Sequence, residues 1–176
     1  MFSKKYIQQL KTLHYDKSRP RGFGGKVKPL GRFKSFMMQW KPSSVIDYGC
    51  GKGIILAHLR ESYPETKFYG YDPAIDMFNT IPNTKIDCVF SNDVLEHIEP
   101  EYINNVLTHI NHLANKFIWL RIDTVPARKT LPDGRNAHLI LESPTWWLDQ
   151  ISKHIDGNIV YHNLDRKGKF DVAIEK

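Results

Sequence analysis

The sequence predicts an α/β fold, a doubly wound and mostly parallel sheet with helices on both faces. Three observations carry that prediction. From residue 43 onward, short β-branched runs alternate with runs of helical apolar spacing. The stretch Val45-Ile-Asp-Tyr-Gly-Cys-Gly-Lys-Gly53 reads as a buried strand that passes through a glycine turn into a helix. The last two apolar runs, 158–163 and 170–175, are joined by Asp165-Arg-Lys-Gly168 and read as a hairpin, which makes the C-terminal strand antiparallel.

Each element follows from its own pattern. Tyr6, Ile7, Leu10 and Leu13 recur at helical spacing between Phe2 and His14, and Ser18-Arg-Pro-Arg-Gly-Phe-Gly-Gly25 must then be loop. Gly31 to Trp40 is helical again. Strands are expected at 43–48, 66–71, 86–91 and 116–122, with helices at 53–62, 101–114 and from Ser143 or Pro144 to His154, and a brief one near 74–79. Pro100 marks the entry of the 101–114 helix, whose stripe is Ile103, Val106, Leu107, Ile110 and Leu113. A long polar loop, 123–139, follows the fourth strand. Residues 1–42 form an N-terminal basic helical arm or lid, and 43–176 the main body of a single domain.

Bulk properties narrow the setting. A chain of 176 residues, 41% hydrophobic and 25% charged, suits one soluble globule. No apolar run approaches the ~20 residues of a membrane helix, and the polar N-terminus lacks a signal-peptide core, so a cytoplasmic protein with no membrane partner is expected. Cys50 and Cys88 are too few for a disulfide framework and read as free thiols. The net charge of +6 is lopsided: residues 1–42 carry 11 Lys and Arg against Asp16 alone, while the remainder is net acidic. Such an arm makes nucleic acid a possible partner.

The glycine turn carries the chemistry. Gly49, Gly51 and Gly53 sit where a strand meets a helix N-terminus, a junction that offers free backbone N–H groups and close approach to a ligand. A dinucleotide fingerprint needs glycine where Ile54 stands, and a Walker loop needs Ser or Thr where Gly53 stands, so both are disfavoured. Asp47-x-Gly49-x-Gly51-x-Gly53 instead resembles motif I of the class I S-adenosylmethionine-dependent methyltransferases. Phe68-Tyr-Gly-Tyr-Asp72 is similar to the strand whose terminal acid binds ribose, and Ile86-Asp-Cys-Val-Phe-Ser-Asn-Asp-Val-Leu-Glu-His-Ile98 resembles the strand that carries D-x-V and ends in L-x-H. The resemblance covers roughly residues 43–122. It implies a Rossmann-like methyltransferase sheet and S-adenosyl-L-methionine as cofactor, held by Asp47, Tyr48, Gly49, Cys50, Gly51, Gly53, Asp72, Pro73, Asn92 and Asp93. Only 15 residues separate Asp72 from Asp87, so the third strand of that plan is expected to be reduced or missing. Adenine then falls to the Pro73–Met77 segment and the Ser91-Asn92-Asp93 loop.

The same resemblance assigns the reaction. Methyl transfer needs in-line approach, exclusion of water and sometimes a base, and His97 or Asp93, just past a central strand, would be that base. Tyr15, Phe23 and Gly24 are candidates for a lid, and Arg135, Asn136, His138 and Trp146 for the acceptor pocket. A small-molecule acceptor is favoured. The alternatives are a non-catalytic protein of this fold that binds nucleic acid or protein, and an RNA 2′-O-methyltransferase. Asp93-Val-Leu-Glu96-His97 with His138 is similar to the acid-x-x-Glu-His plus distal His arrangement of the small-RNA 3′-end enzymes, in which a divalent cation is held. Asp stands where those enzymes have Glu and the surroundings of His138 do not match, so no metal is expected.

Overall fold

Strands apolar on both faces become buried parallel strands, and those with alternating exposure become edges. The computed structural model describes residues 3–15 and 30–176 and obeys that rule. Strand β3 (Ile86–Asn92) is buried at every position, and β5 (Asn158–Leu164) is largely exposed at the sheet edge. Between them lie β1 (Ser44–Tyr48), β4 (Ala114–Asp123) and β6 (Lys169–Glu175), with β2 (Lys67–Tyr71) at the far edge. The order is β2-β1-β3-β4-β6-β5. Pairings β1–β2, β1–β3 and β3–β4 are parallel, and β6 alone runs against its neighbours. Residues 72–85 contain no strand, Pro82–Thr84 included, so the third strand of the methyltransferase plan is absent and β2 is left as the edge.

The helices are α1 (Lys4–Tyr15), α2 (Gly31–Trp40), α3 (Ile54–Ser62), α4 (Ile103–Leu113) and α5 (Pro144–His154). The Ser143 hydroxyl accepts from Trp146 N–H at 3.2 Å and Pro144 occupies the first turn, which starts α5 where the sequence places it. Lys41 turns left-handed (φ 46°) and its N–H closes α2 on Met37 C=O. Successive residues of β1 face opposite ways: Val45 packs with Phe33, Met37, Leu56 and Phe90 beneath α2 and α3, Ile46 with Leu107, Ile110 and Ile118 beneath α4. At the amino end of the sheet Asp87 accepts from Ser43 N–H and hydroxyl, Asn115 and Lys116. Burial alone would raise its pKa, but these donors outweigh burial and hold it at about 2. This clamp stabilises the fold above the ordinary carboxylate range and is lost as pH falls toward 2.

A third, smaller cluster lies apart from both faces. Tyr6 and Leu13 of α1 pack on Leu131 and Ala137, with Leu10, Ala127 and Leu139 around them. The helix thus rests on the loop after β4 rather than on the sheet. Phe23, Gly24 and much of the basic arm lie outside the described residues. Among the described residues no helix is long and apolar enough to cross a membrane. Because α1 shares no cluster with the sheet, deleting residues 1–27 is expected to leave a body that unfolds cooperatively in urea, with faster amide exchange in residues 95–99 and 127–139, which α1 contacts. Loss of the cooperative transition would place α1 in the main core.

Candidate active site

Where β1 ends the chain has to leave the sheet sharply, and glycines make that turn. Gly49, Gly51 and Gly53 have φ of 83°, 52° and 73°. Gly49 and Cys50 N–H both donate to Tyr71 C=O, at 2.7 and 3.1 Å, and Gly51 N–H donates to Asp72 Oδ2 at 2.9 Å. The other oxygen, Asp72 Oδ1, accepts from Ala74 N–H at 2.9 Å. A Cβ on Gly49 would lie 2.4 and 2.6 Å from the Val94 methyls, and one on Gly53 would lie 3.0 Å from the Phe78 ring. At Gly51 a Cβ would meet only His14, at 3.4 Å, because that position opens on a cavity.

This cavity, about 930 Å³, has two ends and a roof. Asp47, Gly49, Gly51, Asp72, Pro73 and Asn92 line one end. Tyr6, Leu10 and His14 of α1 roof it, and His97, Asp123, His138 and the segment 125–129 line the other end. Helix α1 is latched in place. Ser3 N–H and hydroxyl donate to Glu99 at 3.0 and 2.7 Å, and the Tyr6 hydroxyl donates to His97 C=O. Exposed contacts of Lys11 with Asp76 and Gln9 with Asp133 add little.

The glycine-turn end is buried and acidic. Asp47 is 2% exposed, its Oδ2 has no hydrogen bond, and burial followed by the charge of Asp72 pushes its carboxyl up to about 7. Burial also pushes both free thiols, Cys50 and Cys88, far up, which removes them as nucleophiles.

At the other end Asp93 takes a left-handed conformation (φ 55°), donates its N–H to Arg121 C=O, and pairs with Lys169 Nζ at 3.2 Å. Lys169 also contacts Asp123 at 2.5 Å. A carboxylate held by an ammonium is a weak proton acceptor, which counts against Asp93 as the base. Glu96, in the 3-10 turn that follows, is 0% exposed. Burial pushes its carboxyl up to about 8. Its own and Asp123's backbone N–H groups and Lys169 pull it down in part, yet none reaches either oxygen with hydrogen-bond geometry. Leu139 and Ile140 N–H donate to Glu96 C=O at 2.7 and 3.0 Å, and this brings His138 beside it. His138 Nε2 lies 4.0 Å from Glu96 Oε1, and the His97 and His138 rings stand edge to face at 4.7 Å.

The structure therefore assembles Asp47, Tyr48, Gly49, Cys50, Gly51, Asp72, Pro73, Asn92, Asp93, His97 and His138 around one cavity. Five expected residues fall elsewhere. Tyr15 is 56% exposed at the end of α1, and Arg135 turns outward onto Asp133 at 2.8 Å. Trp146 packs edge-on against Trp147 at 5.0 Å and does not line the cavity. Gly53 caps α3 beneath Phe78 and does not line the cavity. Asn136 is a clamp, accepting from Ala127 and His138 N–H and donating to Ala127 C=O. Tyr6, Leu10, His14, Asp123 and Lys129 were not anticipated. The first three share the apolar stripe of α1, but a stripe does not say what it covers.

The sequence matches a methyltransferase domain family over residues 15–163. The chain belongs to that family. No curated protein matches the sequence. Among solved structures, PigF with S-adenosylhomocysteine is 13% identical with a TM-score of 0.64, the match covering 97% of this chain and 62% of that one. This chain thus spans about three fifths of PigF. The 1,6-didemethyltoxoflavin-N1-methyltransferase of Burkholderia thailandensis is 13% identical (TM-score 0.64, 98% and 89% covered). The magnesium protoporphyrin IX methyltransferase of Synechocystis PCC 6803, with bound S-adenosylmethionine, is 15% identical (TM-score 0.62, 99% and 97% covered). At these identities the likeness is one of fold.

For this family member the glycine turn makes a direct prediction. Gly49→Ala is expected to cost more than about 1 kcal/mol in urea unfolding, because both φ and the Val94 contact oppose it. Adding Val94→Ala relieves the clash but not the backbone strain, so the double variant should recover only part of the loss.

Proposed function

We propose that the chain transfers a methyl group from S-adenosylmethionine to a small-molecule acceptor. The observation that carries this reading is the open face of Gly51, flanked by Asp47 and Asp72, at one end of a cavity whose other end holds His97 and His138. The N–H groups at the N-terminus of α3, where Ile55 lines the cavity, suit the cofactor's carboxylate. Asp47, without a hydrogen bond at Oδ2, suits its ammonium. Asp72 spends one lone pair per oxygen on the backbone and keeps others for ribose hydroxyls. The family match supports the reaction type, and the fold shared with the toxoflavin and protoporphyrin methyltransferases supports a small acceptor. A roof formed by α1 favours a small acceptor over an open nucleic-acid groove.

The cofactor supplies the methyl group on a sulfonium, and the chain's residues position it and exclude water. His97 Nδ1–H donates to Ala137 C=O at 2.6 Å, so Nε2 is the basic nitrogen, as the base role requires.

Isothermal titration with S-adenosylmethionine and S-adenosylhomocysteine tests the reading. Micromolar binding is expected, while no binding at millimolar cofactor by folded protein would favour a non-catalytic role in binding nucleic acid or protein. Replacing Asp72 by Asn should weaken binding about 10- to 150-fold, the loss of roughly 1.5–3 kcal/mol for hydrogen bonds to a charged group.

Asp47 adds a pH dependence with a definite sign. Its folded pKa, about 7, lies above the ordinary 3.8, so the free protein holds this proton below pH 7 and loses stability as pH rises from 3.8 to about 7. An ammonium ligand favours the ionised form. Cofactor affinity should therefore rise with pH up to about 7 and then level off. Proton release, seen as buffer-dependent heat, should appear at acidic pH, and Asp47→Asn should abolish both effects.

A further inference from the structure

We propose that Glu96, His97 and His138 form a binding site for one divalent transition-metal ion, with Zn²⁺ the best match, open on its remaining side to the cleft. The ligand atoms of the three residues lie within 4.8 Å of one another. A tetrahedral site with bonds of about 2.0–2.1 Å sets its ligand atoms roughly 3.3 Å apart, so loading draws these groups inward by at most about 1.5 Å.

Two independent features prepare them for it. Glu96 is wholly buried, and neither carboxylate oxygen has a hydrogen bond. Buried carboxylates are found paired or on metals, because otherwise ionisation is strongly disfavoured. Each imidazole, moreover, has its proton placed by the backbone. His97 Nδ1 lies 2.6 Å from Ala137 C=O and His138 Nδ1 lies 2.5 Å from Val125 C=O. A carbonyl only accepts, so Nδ1 carries the hydrogen and Nε2 the lone pair, and this outer shell is the one that metal-binding histidines use. The two carbonyls belong to the loop that Asn136 clamps.

Donor chemistry narrows the ion. Two imidazoles and one carboxylate suit Zn²⁺ and its neighbours, whereas Mg²⁺ and Ca²⁺ prefer oxygen alone. Asp93, which the sequence resemblance would enlist, is held by Lys169 at 3.2 Å. The site therefore has three protein ligands and keeps a fourth position for an acceptor. Only the role of the ion rests on the methylation reading. There it would take over from His97, whose Nε2 lone pair it occupies, the readying of the acceptor: it would bind an acceptor hydroxyl and lower its pKa, the proton passing to water. The oxygen then forms the bond to the methyl carbon as the C–S bond breaks, its electron pair remaining on sulfur as the thioether. The acceptor class is thus a hydroxyl compound.

The test is metal uptake by the full-length, chelator-stripped protein. One Zn²⁺ per chain is expected by equilibrium dialysis, and Co²⁺ in its place should give the intense visible bands of four-coordinate geometry. Glu96→Gln and His138→Ala, checked for folding by circular dichroism, should each weaken Zn²⁺ binding roughly 100-fold or more, beyond the cost of losing an outer-shell partner. His162→Ala, on exposed β5, should not change it. No uptake of Zn²⁺, Co²⁺ or Mn²⁺ by the folded wild type, or uptake unaltered by Glu96→Gln and His138→Ala, overturns the proposal. S-adenosylhomocysteine titrated in parallel separates the two readings. Its binding without metal uptake removes only the metal, and metal uptake without its binding supports the metal and removes methylation.

Discussion

Three backbone N–H groups anchored at the carboxyl end of β2, two on Tyr71 C=O and one on the Asp72 carboxylate, bend the chain out of the sheet after β1. Parallel pairing brings Tyr48 opposite Tyr71, so those acceptors stand within reach as the strand ends. The bend forces positive φ at alternate residues, and only glycine holds such angles without strain. It also aims the first turn of α3 at the cavity and leaves Asp47 just below it, away from water. This end of the cavity therefore depends on one strand pairing, and Asp72 both holds the turn and lines the cavity.

Much of this was legible in the sequence because it is local. The periods of the apolar runs, Pro144 after Ser143, and the glycines at 49, 51 and 53 each record a backbone requirement at their own position. The lost third strand was legible too, since the interval between Asp72 and Asp87 has no room for a strand and a helix. What stayed hidden depends on partners far along the chain. Nothing near Asp93 announces Lys169, and nothing in α1 says that Tyr6, Leu10 and His14 roof a cavity.

The misplaced residues show which signals mislead. Arg135 has the chemistry of an anion binder, but the turn it occupies places Asp133 in its reach first. Trp146 and Trp147 are indistinguishable by type. Helical phase separates them, because Trp147 lines up with Ile151 in the core and Trp146 does not. Glu96 and His138 meet only because residues 139 and 140 hydrogen-bond to the Glu96 carbonyl, a pairing no spacing rule encodes.

The small cluster that joins α1 to the loop after β4 separates two duties. The sheet faces carry the stability of the body, and the Tyr6, Leu13, Leu131 and Ala137 cluster shapes the roof of the cavity. Sequence drift in that cluster alters the contour of the chamber while the glycine turn and the strands beneath it keep their geometry. Selection for a new contour has there a patch of seven apolar residues on which to act, at little risk to folding.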